Sequence, residues 1–290
     1  MPTSISETDL ILNANGSVYH LGLHSEDLTD IILTVGDPER VPKVSQYFDR
    51  IDIRRAHREF HAHIGWIGKQ RVMVISSGMG TDNVEILLTE LDALANVNLV
   101  DRTVNETHRK LTIVRIGTSG SLQADIPVDS YIANQHAFGV DTLMQFYPFR
   151  MQEDQAEWSR RLSELLEIGF VPYCATAASR LLVTWKDCCT FGTTLTCPGF
   201  YAPQGRQVRV APSIAQLPEK LASFRFDGQR LTNFEMETAG YYALGQLLNH
   251  DVISLNAVLA NRATQKFSVN PTKTIATLIE KVLDKVETIL

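Results

Sequence analysis

The stretch DIILTVGDPERV, residues 30–41, decides the fold. Asp30 to Val35 is an apolar, largely β-branched run that stops at Gly36, and Pro38 stands where a following helix can begin. Such a run, bounded by glycine, reads as a strand buried in the core. The same grammar recurs outward. Arg71 to Ser77 is a second strand ending at Gly78, followed by Asp82 as a helix cap and by Val84, Leu87, Leu88, Leu91 and Leu94 at helical spacing. Leu111 to Ile116 is a third strand, read as ending at Gly117. Ser130 to Ala133 and Val252 to Leu259 are further strands. Trp158 to Ile168 and Phe234 to Leu248 are helical, and Thr272 to Leu290 is amphipathic. Strands that alternate with glycine turns and helices predict an α/β fold. The expected architecture is a single domain with a central mixed β-sheet flanked by helices, over residues 16–290, preceded by a flexible arm at 1–15.

The bulk properties narrow the function classes. The 290 residues are 44% hydrophobic, enough for a full core, and the formal charge is -6 without a long basic run, which argues against nucleic acid as a partner. Cys174, Cys188, Cys189 and Cys197 lack paired CxxC spacing, so neither a disulfide framework nor a zinc site is expected, and a reducing compartment fits. No leader-like start and no membrane-length apolar stretch is present. A cytoplasmic protein is expected.

Several segments carry chemistry. In GDPER, glycine lets the backbone approach a ligand, a helix start offers free N–H groups to an anion, and Arg40 adds a bidentate donor; an ordinary strand-to-helix turn is the plainer alternative. In IVRIGTSGSL, Arg115 interrupts an apolar strand. Burial of a guanidinium is costly unless it meets an anion or a core carboxylate, and Thr118 with the loop amides 117–120 can complete a phosphate cradle. In NFEMETAG, Glu235 and Glu237 either favour a helix dipole or accept from a vicinal diol, with Met236 against the sugar. In GFYAPQGR, Phe200 can stack on a base, Gln204 offers a donor and an acceptor, and Arg206 can stabilise a departing anion; a polar surface loop is the alternative. Read as one strand, HREFHAH places His57, Glu59, His61 and His63 on one face, but same-face neighbours on one strand make a poor metal site, and no metal is expected. GMGTDN fails as a dinucleotide fingerprint because Asn83 holds its last glycine position. No Walker lysine follows a glycine loop, and no GxSxG elbow is present.

Taken in order, VYHLGL, GDPERV, HREF, SSGMG, RIGTSG, FYAPQGR, FEMETAG and ANRATQ resemble the uridine phosphorylase branch of the nucleoside phosphorylase-I family, from Val18 to the C-terminal helix. The resemblance implies phosphorolysis of a pyrimidine nucleoside, with uridine and inorganic phosphate as substrates and no cofactor. It implies phosphate binding by Gly36, Arg40, Arg115 and Thr118, with Arg58 reaching a neighbouring subunit's site. It implies ribose binding by Met236 and Glu237 with Glu235 in support, and by His20 across a dimer interface. Phe200, Gln204 and Arg206 match the base site, and Arg262 an arginine behind it. Catalysis then falls to Arg115, Arg206 and Glu237. Purine-specific relatives carry an aspartate where Asn261 and Arg262 stand here, which favours a pyrimidine. The implied assembly is a homodimer that shares active sites, with a hexamer as a further step. The segment Val100 to Lys110 looks inserted relative to compact members, and Ala202-Pro203 replaces Pro-Gly. A hydrolytic nucleosidase on the same fold, a phosphorylase of broader or purine specificity, and a nucleoside-storage protein are the rivals.

Overall fold

A computed structural model describes residues 4–289. The core sheet has eleven strands. In chain order they are β1 (Ile31–Val35), β2 (Arg50–His57), β3 (Phe60–Ile67), β4 (Gln70–Ser76), β5 (Thr112–Ser121), β6 (Tyr131–Gly139), β7 (Tyr173–Thr176), β8 (Thr190–Thr196), β9 (Asn233–Glu235), β10 (Asp251–Asn261) and β11 (Lys266–Phe267). The pairing is mixed, as expected: β1 runs parallel to β4 and β5, while β2, β3 and β4 form an antiparallel meander. Part of the sheet closes on itself. β5 pairs with β10, β10 with β6, β6 with β8, β8 with β9, and β9 returns to β5. Closure removes free edges from this part of the sheet.

The helices are α1 (Arg40–Ser45), α2 (Thr81–Asn96), α3 (Glu153–Leu166), α4 (Ser179–Thr184), α5 (Leu217–Ser223), α6 (Thr238–Leu247) and α7 (Pro271–Leu283). On α2 the expected positions Val84, Leu87, Leu88, Leu91 and Leu94 are all buried. α6 is buried along most of its length, from Thr238 to Gly245, because α2 covers one side and the sheet the other. Asn270 caps α7 by accepting from the Lys273 amide, as its residue type favours.

Four local expectations change. Asp82 does not cap α2, which starts at Thr81 after Gly80 with no side-chain cap. Residues 117–120 are not a loop: β5 continues to Ser121 because β10 pairs with it along its whole length. HREFHAH is not one strand: a tight turn at Arg58 and Glu59 divides it, with Arg58 at φ 53°. Phe234 to Leu248 begins as β9, and the helix starts only at Thr238. The segment expected as a loose arm carries specific bonds. The Ile5 amide donates to the Arg102 carbonyl at 2.7 Å, the Ser4 hydroxyl to that of Asp101, and Arg102 reaches back to Leu10. The arm thus rests on the Val97–Val104 hairpin.

His136 on β6 sits edge-on to Trp158, with ring centroids 5.4 Å apart, and neither ring nitrogen has a hydrogen-bond partner among the described residues. Burial lowers its pKa, with Asp154 opposing. The folded state therefore holds fewer protons than the unfolded state as the pH drops below the usual histidine value, and stability decreases as the pH is lowered. The melting temperature is expected to drop between pH 7 and pH 5, and to drop less in His136→Phe. His63, shifted the same way by burial, keeps some of the slope. Melts at a series of pH values check this; equal slopes in both proteins would refute it.

Candidate active site

The site forms where β1, β8 and β9 end, against the interior of β5. Arg115, on β5, is buried and has carboxylates on one side and neutral acceptors on the other. Its Nη2 donates to Glu237 at 2.5 Å and lies 3.5 Å from Glu235; its Nη1 donates to Asn256 Oδ1 at 3.1 Å and to the Ser254 hydroxyl at 3.3 Å. Nε has no hydrogen-bond partner among the described residues. The head group folds back over Gly117, where a Cβ would come within 1.8 Å of Nη1, so packing requires glycine there. Burial alone would lower the Arg115 pKa, but Glu237 and Glu235 more than offset it and raise it. The core-ion-pair alternative for this residue is therefore present in the structure.

The two glutamates part ways. Glu235 receives the amides of Glu237 and Thr238 on Oε2 and the Thr196 hydroxyl on Oε1, so it caps α6. Glu237 receives the Gly80 amide at 2.8 Å as well as Arg115. Burial raises its pKa and Arg115 lowers it, with Glu235 adding to the rise. Two buried carboxylates beside one guanidinium leave an excess of negative charge, which fits that direction. Met236 between them is half-buried.

Arg40 is half-buried and donates to the Ile116 carbonyl at 3.4 Å. Burial lowers its pKa; Asp37 opposes this, Arg115 adds to it, and Glu237 opposes it, so Arg40 shares one electrostatic neighbourhood with the Arg115–Glu237 pair. The helix-terminus argument for an anion fails here: the Arg40 and Val41 amides are taken by the Asp37 and Pro38 carbonyls, and the Glu39 amide by the Asp37 carboxylate. At Gly36 a Cβ would meet only the Gly78 carbonyl, at an ordinary 3.5 Å, so what glycine leaves there is open approach to the backbone. Thr118 is half-buried, but the amides around it belong to a β-ladder and not to a phosphate-binding loop.

The base-site candidates come together on the loop after β8. Arg206 donates to Gln204 Oε1 and to the Phe200 carbonyl, both at 2.6 Å, and its guanidinium lies 3.8 Å from the Phe200 ring centroid. Arg262 donates to the Gln204 carbonyl at 3.0 Å and to that of Gly205 at 3.3 Å, fixing the loop from behind. Burial lowers the Arg206 pKa and Arg262 adds to the fall. A cavity of about 450 Å³ opens here, lined among others by Phe200, Arg206, Ala260, Arg262 and Phe267.

His20 and Arg58 stand apart from these groups. Arg58 is exposed, lies 5.1 Å from the Tyr19 ring centroid, and its side chain makes no hydrogen bond or ion pair among the described residues. The His57 ring donates to the His20 carbonyl at 2.8 Å. The two residues implied to cross a subunit interface thus share one cluster. No group of three or more His, Cys, Asp or Glu able to hold a metal occurs among the described residues, and no described helix is long and apolar enough to cross a membrane.

Sequence reasoning missed Gly80, whose amide serves Glu237, because nothing local in SSGMG or GMGTDN points to a carboxylate 157 residues away. It also missed the asparagines behind Arg115. Asn256 Nδ2 donates to Asn134 Oδ1 at 2.6 Å, and Asn134 Nδ2 to Asn233 Oδ1 at 2.9 Å. The signal that flagged Arg115, a polar residue within an apolar strand, was there for Asn256 too.

The chain is 29% identical over 255 residues to the uridine phosphorylase of Thermococcus kodakarensis, covering 87% of this chain and 80% of that one. It is 24% identical over 254 residues to the uridine phosphorylase of Haemophilus influenzae, covering 86% and 88%. The crystal structure of the Trypanosoma brucei nucleoside phosphorylase that shows uridine phosphorylase activity superposes with a TM-score of 0.85 at 27% identity, over 96% of this chain and 100% of that one. Residues 30–289 match the model of the phosphorylase superfamily, and the chain belongs to that family.

Proposed function

We propose that the protein is a uridine phosphorylase: uridine and inorganic phosphate give uracil and ribose 1-phosphate, reversibly, in pyrimidine nucleoside salvage and catabolism. One observation carries the reading. Arginines without a carboxylate partner among the described residues stand at two places in the site: Arg40, bonded only to the Ile116 carbonyl, beside Arg115, and Arg206 with Arg262, both held on Gln204. A guanidinium with no paired carboxylate is free to receive an anion. The first pair suits phosphate and the second suits the negative charge that develops on the leaving base. The relatives named above support the same assignment.

Cleavage of the C–N bond builds positive charge on the sugar and negative charge on the base. Arg40 and Arg115, with Gly36 and Thr118, hold phosphate beneath the ribose, where it stabilises the cation and then bonds to its anomeric carbon. Glu237 accepts from the ribose diol, with Met236 packed on the sugar and Glu235 holding the helix start. Arg206 and Gln204 receive the uracil anion, Phe200 packs on the ring, and Arg262 steadies the loop. Positioning and preorganised charge supply the catalysis, and no covalent enzyme intermediate is formed. Arg58 and His20 complete the site of a partner subunit, so the working unit is a cytoplasmic homodimer with two shared sites; a two-fold axis suits reciprocal donation. No cofactor takes part.

The test is product analysis after incubation with uridine, with and without phosphate. Ribose 1-phosphate is expected, and only when phosphate is present. Free ribose in phosphate-free buffer would instead identify a hydrolase.

A further inference from the structure

A buried carboxylate outside the groups already assigned points at one of them. Glu90 lies on α2 between the core residues Leu87, Leu91 and Leu94 and is only 7% exposed. An acid on the apolar face of a helix is costly unless its oxygens are fully used. Here they are used by a single two-residue segment of chain. Oε1 accepts from His20 Nδ1 at 2.6 Å and from the His20 amide at 2.9 Å; Oε2 accepts from the Leu21 amide at 2.9 Å and from the His20 amide at 3.0 Å. From the other side His57 Nδ1 donates to the His20 carbonyl, and His57 Cβ stands 3.3 Å from where a Cβ on Gly22 would lie. Both the backbone and the ring of His20 are therefore fixed.

The consequence for chemistry lies in the ring. A carboxylate only accepts, so His20 Nδ1 carries the proton, and Nε2 is the one polar ring atom left for a ligand. We propose that Glu90 is a positioning residue that sets the orientation and tautomer of His20, so that Nε2 meets the 5′-hydroxyl of the nucleoside, the ribose hydroxyl left free when Glu237 takes the diol. Glu90 thereby governs how much that hydroxyl contributes to turnover. The inference rests on the reading of His20 as a ribose residue.

The experiment compares uridine with 5′-deoxyuridine. The ratio of their kcat/KM values isolates the hydroxyl's contribution from general damage to the fold. The unmodified enzyme should favour uridine by about tenfold, the worth of one good hydrogen bond to the sugar. His20→Ala should bring the ratio close to one. Glu90→Gln should remove most of it, because the amide nitrogen cannot accept and one contact to the segment is lost. Glu90→Asp, which keeps the charge but falls short, should remove part of it and serves if the glutamine variant folds poorly. A Glu90 variant that slows both substrates by the same factor would overturn the proposal and leave Glu90 a structural tie. A ratio unchanged in His20→Ala would overturn the ribose reading of His20, and Glu90's role with it. The two failures thus appear in different variants.

Discussion

Replacing Arg115 with alanine is expected to lower phosphorolysis of uridine by about 10²–10³ and to destabilise the fold by about 3–5 kcal/mol. The two effects have one origin. The guanidinium serves Glu237, Glu235, Asn256 and Ser254 at once. Without it two buried carboxylates lose their ion-pair partner and keep only Arg40, which pairs with neither, as a nearby counter-charge; this accounts for the stability loss. The loss of rate follows from removing a preorganised cation beside Arg40. Arg115→Lys separates the contributions. It keeps the charge and so spares much of the melting temperature, but a point charge cannot reproduce the planar fork, and use of phosphate stays impaired. Steady-state kinetics with phosphate varied, beside circular-dichroism melts, give both quantities. A lysine variant with normal stability and normal use of phosphate would reduce Arg115 to a core tie.

What the sequence makes legible and what it hides follow from the range of each interaction. β1 and β4 were legible because apolar runs closed by Gly36 and Gly78 are local signals, and α2 because its apolar spacing is. β5 was cut short at Gly117 because glycine commonly ends a strand. Here the glycine makes room for the Arg115 head group instead, and the ladder with β10 carries the strand on to Ser121. The division of HREFHAH at Arg58 was hidden because the alternation of side chains continues across the turn. Glu235 and Glu237 look alike in sequence, two residues apart at a helix start. Only the chain path shows that one caps α6 while the other meets Gly80 from a distant loop. The contact between His20 and Glu90 spans 70 residues, and no periodicity reports it. The motifs identified the chemistry; assigning each residue its task required tertiary structure.

Base selectivity should show the other large effect. Arg206 holds Gln204 Oε1 at 2.6 Å, so the side-chain amide is oriented before any base arrives, and Arg262 holds the Gln204 main-chain carbonyl at 3.0 Å. With Oε1 turned to Arg206, Nε2 is the donor offered to a uracil carbonyl, and the second lone pair of Oε1 can still accept from N3–H. Cytidine replaces one carbonyl by an amino group and leaves N3 unprotonated, which sets donor against donor and acceptor against acceptor. A site built on such hydrogen bonds rejects a mismatched partner by up to about 10⁴–10⁵. Uridine is therefore expected to exceed cytidine, inosine and adenosine in kcat/KM by orders of magnitude. Arg206→Ala removes both the clamp on Gln204 and the cation that meets the departing base. It should lower turnover of uridine by about 10²–10³ and shrink the preference over cytidine with it. A nucleoside panel run on both proteins decides the matter. Inosine as the best substrate would overturn the pyrimidine assignment, and an Arg206→Ala protein that is slow but equally selective would remove Arg206 from base recognition and leave that task to Gln204.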